Sequence, residues 1–154
     1  MANDIAPPAP PCAEIHIHIE GTLEPDLIQT LADRNRISHD VLALNEGDAG
    51  YDFGDQQSFL ETYRANMNVL HTESDFADMT SAYLQRAATA GVRHAEIMFS
   101  PQAHLMRGIA LETVVAGIAE TLADTAADLG MTTRLIASFM RDQPQQDAIA
   151  ALDH

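Results

Sequence analysis

Glu14-Ile15-His16-Ile17-His18-Ile19-Glu20, closed by Gly21 and Thr22, is the stretch that decides how this chain is read. Polar and apolar residues alternate strictly through it, which is the period of a β-strand. On a strand, that spacing points His16 and His18 to one face and Ile15, Ile17 and Ile19 to the other. Imidazole nitrogens bind Zn2+ at about 2.0–2.1 Å, so two on one face can fill adjacent corners of a metal site. The plainer reading is two polar side chains on the wet side of a half-buried strand, because so short a motif also occurs by chance.

Downstream, Pro25 suits a first helical position, and Leu27, Ile28, Leu31 and Ala32 form an apolar stripe. Residues 36 to 56 are polar and Gly-containing and read as a long excursion. Ser58 and Glu61 make a capping-box pattern, followed by Phe59, Leu60, Tyr63, Met67 and Leu70 at helical spacing. Thr72 can cap a third helix striped by Phe76, Met79, Tyr83, Leu84 and Ala87 and stopped by Gly91. Val92 to Phe99 reads as a second strand. A long helix follows from Leu111 to Leu129, with Val114, Val115, Ile118 and Leu122 inside and Gly130 as its stop. Thr133 to Met140 reads as a third strand, and Pro144 opens a last helix.

Strands alternating with helices predict a parallel α/β architecture, and near-continuous apolar strands suit a sheet covered by helices. The glycine turn at Gly21 puts His16 and His18 at the carboxyl end of the first strand, where barrel active sites are built. A barrel closes at eight strands, and three are counted here. The expectation is therefore an incomplete barrel over residues 14–154, about three βα units, behind a flexible proline-rich arm over residues 1–13.

Composition narrows the function classes. The formal charge of -15, from 23 acidic and 8 basic residues, argues against nucleic-acid binding, which needs clustered Lys and Arg. It equally disfavours an anionic membrane surface. Cys12 is the single cysteine, so no internal disulfide forms and no zinc knuckle is available. The first residues lack a basic and apolar signal-peptide pattern, and no segment approaches the ~20 apolar residues of a membrane span. The expected location is the cytoplasm.

Ile15-His16-Ile17-His18-Ile19-Glu20-Gly21-Thr22-Leu23-Glu24-Pro25 resembles the first-strand motif of the adenosine and adenine deaminase family, a zinc-dependent branch of the amidohydrolase barrels. The resemblance continues in order along the chain. It takes in Ser58 to Tyr63, Gly91 to Ile97, Ser100 to His104 with Arg107-Gly108, and Thr133 to Ile136, covering about residues 13 to 154. It implies the N-terminal part of a TIM-type (β/α)8 barrel. Glu20, where adenosine-type members usually carry Asp, and the Pro101-Gln102-Ala103-His104 segment resemble the adenine branch. The longer Glu side chain would occupy volume that a ribose needs, although a carboxylate accepting hydrogen bonds from the nearby turn is the plainer reading.

The resemblance implies Zn2+ as cofactor, with His16 and His18 as metal ligands. The metal activates a water by lowering its pKa from about 15.7 toward about 7. The substrate would be a purine, adenine or alternatively adenosine. His18 and Glu20 would contact it, and Phe59, Leu60 and Tyr63 would cover the base unless they are simple helix core. Met98 and Ser100 lie at the end of the second strand, where they would line the pocket. The family's other ligands and its catalytic acid and base fall on later strands, so no catalytic residue is expected in these 154 residues and no deaminase activity is expected of them alone. Among the remaining histidines, His39 and His71 read as loop and helix-end residues, and His94 opens the second strand at the wrong end. His104 lies past the strand and reads as fixing the loop there. A competing reading is a non-catalytic module that associates through the open sheet edge. A different amidohydrolase would keep His-x-His without the Glu-Gly-Thr-Leu-Glu-Pro continuation.

Overall fold

The computed structural model describes residues 10–42 and 54–152. The first nine residues of the proposed arm, residues 43–53 of the long excursion and the last two residues lie outside the described residues. Three strands, β1 (Cys12–His18), β2 (Val92–Phe99) and β3 (Thr132–Ala137), form one parallel sheet in the order β1-β2-β3. Among the described residues six α-helices accompany them: α1 (Pro25–Asn35), α2 (Gln56–Met67), α3 (Glu73–Thr89), α4 (Pro101–Leu105), α5 (Leu111–Asp128) and α6 (Gln145–Leu152). This is the α/β architecture expected from the alternation of strands and helices.

α3 and α5 each have a stripe of apolar residues spaced along one face. Phe76, Met79, Leu84, Val114 and Ile118 join Ala95 and Ile97 of β2 in a single buried cluster. α1 adds Ile28, Leu31 and Ala32 to the same cluster. Gly91 ends the α3 connection with φ 92, a conformation that residues with a Cβ rarely adopt. The chain then enters β2 directly.

Several boundaries differ from the sequence reading. β1 begins at Cys12, inside the segment assigned to the arm, because Cys12 donates its amide to the Gly91 carbonyl at the end of the sheet. It ends at His18, and Ile19–Thr22 wind into a 3-10 turn in which the Thr22 hydroxyl donates to the Ile19 carbonyl. β3 runs only to Ala137, the last residue paired with β2, although the Ser138 amide still donates to the Phe99 carbonyl. α2 is capped one turn early: Asp55 accepts from the Ser58 amide, and Ser58 completes the box at the third position rather than opening it. The short α4 was not legible, because five residues carry no full period of apolar spacing.

The strict alternation at the start of β1 is also interrupted. Glu14 pairs with Ala95 and Ile17 with Ile97, so three steps on β1 span what two cover on β2. Such a bulge re-aims the side chains around it. It turns Glu14 toward α3, where the Tyr83 hydroxyl donates to its carboxylate at 2.6 Å. Ile15 is left 67% exposed, so it does not join Ile17 and Ile19 against the core as the alternation implied.

Candidate functional site

The carboxyl ends of β1 and β2 lie side by side, with His18 opposite Met98 in the ladder. The His16 and His18 rings stand 5.4 Å apart and are tilted by 40°. His16 is exposed and His18 half-buried, and neither makes a hydrogen bond among the described residues. Two unengaged imidazoles this close suit adjacent corners of one metal ion. No group of three or more metal-ligating side chains occurs among the described residues. The pair therefore fits as part of a ligand set, short of the three protein ligands of a catalytic zinc site.

Two residues after His18, the 3-10 turn carries Glu20 inward, where its side chain is wholly buried. One carboxylate oxygen accepts from the Ser100 amide at 2.7 Å and from His104 Nε2 at 3.0 Å. The other accepts from the Tyr63 hydroxyl at 3.0 Å. Burial pushes this carboxyl up, but the His104 and Ser100 hydrogen bonds outweigh it and hold it below the ordinary carboxylate range. Around the ionised Glu20, desolvation and the adjacent negative charge push the Tyr63 phenol up, so Tyr63 stays a donor.

α2 walls this end of the sheet. Tyr63 lies over Gly21, and Phe59 stacks on Tyr63 with centroids 6.1 Å apart while remaining 42% exposed. Leu60 is half-buried on the same helix and lines a surface cleft with Gln57, Glu61 and Arg64. Ser100 is buried and serves Glu20 through its backbone, and Met98 is half-buried next to His18. The structure thus brings His16, His18, Glu20, Phe59, Tyr63, Met98 and Ser100 to one end of the sheet.

His104 and Arg107 are participants whose connection the sequence did not reveal. Their one signal there is a spacing of three residues, which brings side chains together on a helical turn. His104 is fully buried on α4, edge-on to Phe76. Arg107 reaches its Nδ1 at 3.1 Å and also donates to the carbonyls of Met67 and Leu70. The other described histidines lie elsewhere. His94 bonds Thr132, His39 faces Asp33 and His71 turns back to the Asn68 carbonyl. None of the described helices is long and apolar enough to cross a membrane.

Comparison with known proteins agrees with this geometry. The family model described as Adenosine deaminase matches residues 11–153. The adenine deaminase of Streptomyces coelicolor is 51% identical over 146 residues, which cover 93% of this chain and 42% of that protein. The crystal structure of adenine deaminase from Arthrobacter aurescens superposes with a TM-score of 0.86 at 56% identity, over 94% of this chain and 44% of that one. An amidohydrolase from Burkholderia ambifaria with bound Zn gives a TM-score of 0.78 at 30% identity, over 94% and 40%. The three-stranded sheet is accordingly a portion of the amidohydrolase TIM-type barrel, and the chain spans less than half the length of these relatives. It belongs to the adenosine deaminase family.

Proposed function

We propose that the chain is the N-terminal portion of a zinc-dependent purine aminohydrolase that converts adenine and water to hypoxanthine and ammonia. The observation that carries this reading is the pair of free imidazoles, His16 and His18, beside a wholly enclosed Glu20. Zn2+ held there by His16 and His18, with ligands from outside these residues, would supply Lewis acidity and an activated water.

This chain's own residues do the rest of the work assigned to it. His16 and His18 orient the metal, and His18 also lies on the substrate side. Phe59, Leu60 and Tyr63 cover the base, with the Phe59 and Tyr63 rings stacked on one another. Glu20 fills the space on the side where a nucleoside would carry its sugar. Adenosine is the alternative substrate. The likeness to adenine deaminases at 51% and 56% identity supports the free base. A purine-handling enzyme of this kind belongs in the cytoplasm.

The test is a chimaera in which this chain replaces the segment it matches in the Arthrobacter aurescens enzyme. The chimaera is expected to release ammonia from adenine far faster than from adenosine. His16→Ala and His18→Ala should each lower bound zinc and cut activity about 100-fold, as loss of one ligand from a small donor set implies. Equal turnover of both substrates would remove the adenine assignment, and full zinc content in both variants would remove the metal assignment. The 154 residues alone should release no ammonia.

A further inference from the structure

We propose that His104 and Arg107 are positioning residues: Arg107 locks His104 as the Nε2–H tautomer, and His104 in turn holds the Glu20 carboxylate against the pocket's sugar side, favouring a free purine base over a nucleoside. The selectivity half of this inference rests on the function proposed above. The tautomer half does not.

The argument begins with donors and acceptors. A guanidinium has only N–H donors, so Arg107 Nη2 at 3.1 Å from His104 Nδ1 makes that ring nitrogen the acceptor. The ring proton then belongs on Nε2, which lies 3.0 Å from Glu20 Oε1 and donates to it. The order of charge and dipole is guanidinium, imidazole, carboxylate, with every member buried or half-buried. A neutral ring turned the other way would set a lone pair against the carboxylate and an N–H against the guanidinium. Both contacts would then be repulsive in a site that water does not reach.

The relay is also anchored in space. Arg107 donates to the carbonyls of Met67 and Leu70 at the end of α2, and the His104 ring is fixed edge-on against Phe76 at 5.0 Å. Glu20 is held from its other side by Tyr63, again on α2. Arg107, His104 and Glu20 therefore tie the turn after β1 to the C-terminal half of the helix that walls the pocket and to the residues just past its end. A carboxylate clamped in this way cannot swing aside to admit a sugar. With one donor removed, it gains that freedom.

The first experiment needs no variant. Long-range 1H–15N correlation spectra of the chain should show His104 with Nε2 protonated and Nδ1 bare, and the reverse tautomer overturns the relay. The second uses the chimaera with His104→Leu and His104→Gln, each checked for folding by thermal unfolding. A Gln amide can donate to Glu20 and accept from Arg107 as the imidazole does, whereas Leu can do neither. His104→Leu should raise KM for adenine about tenfold or more, as expected for loss of a hydrogen bond to a buried charge. Its kcat should fall less, and the ratio of adenosine to adenine kcat/KM should rise. His104→Gln should return both toward the parent values. Leu and Gln variants with the same substrate ratio as the parent would overturn the selectivity role. If the parent chimaera does not act on adenine, the proposed function fails, and the tautomer spectrum still decides the relay.

Discussion

Gly117 lies where α5 crosses α3, and there is no room beside it for a side chain. A Cβ there would stand 2.4 Å from the Glu73 carbonyl oxygen and 2.7 Å from the Phe76 Cβ. The first of these is backbone and cannot rotate away. Gly117→Ala should therefore destabilise the chain by about 2 kcal/mol through overpacking, even though alanine is the better helix former. Urea unfolding measures this, and a variant as stable as the parent would show that the helices can separate without cost. The sequence offers no hint of this constraint: a lone glycine within an apolar helix reads only as a small loss of propensity. Glu20 shows the same division between motif and environment. Its place in the motif was legible, but the three donors that enclose it lie 43, 80 and 84 residues away.

At the scale of elements, Asp75 joins α1 to the start of α3. Its side chain is fully buried and accepts from the His71 and Thr72 amides, from Asn35 and from Arg34. Burial pushes its carboxyl up, but the bonds from Thr72, Asn35 and His71 prevail and hold it below the ordinary aspartate range. A carboxyl lowered in the folded state contributes stability above its unfolded value of about 3.9, and that contribution is lost as pH falls through the lower folded value. Unfolding free energy should therefore decline as pH drops below about 4, and Asp75→Asn should flatten that slope. Matching slopes in the two proteins would assign the acid sensitivity to other carboxylates. Thr72 as cap was visible in the sequence. The reach of Asp75 to α1 was not, because its partners Arg34 and Asn35 lie 41 and 40 residues earlier.

On the scale of the whole molecule, β1 and β3 are both edges of the sheet, and Ile15 stands 67% exposed on β1. An open edge with an exposed branched apolar side chain is a template for pairing with another strand. The purified chain should sediment as species heavier than one chain, and Ile15→Lys should shift it toward the monomer. A parent that stays monomeric at high concentration would mean that the edge is already protected.

Read alone, the sequence determined the order of the strands and of every helix but the short α4, the parallel α/β class and the two histidines on one strand. These follow from local periodicity, from the glycine stops and from the residues flanking His16 and His18, all properties of neighbours along the chain. Tertiary structure alone decided that β1 bulges between Glu14 and Ile17, that Ile15 faces outward and Glu14 reaches Tyr83. It also decided that Glu20 is enclosed by α2, Ser100 and the His104–Arg107 relay. The reason is physical: a buried polar group must find its partners wherever packing places them, and those partners come from segments whose separation in sequence carries no period to read.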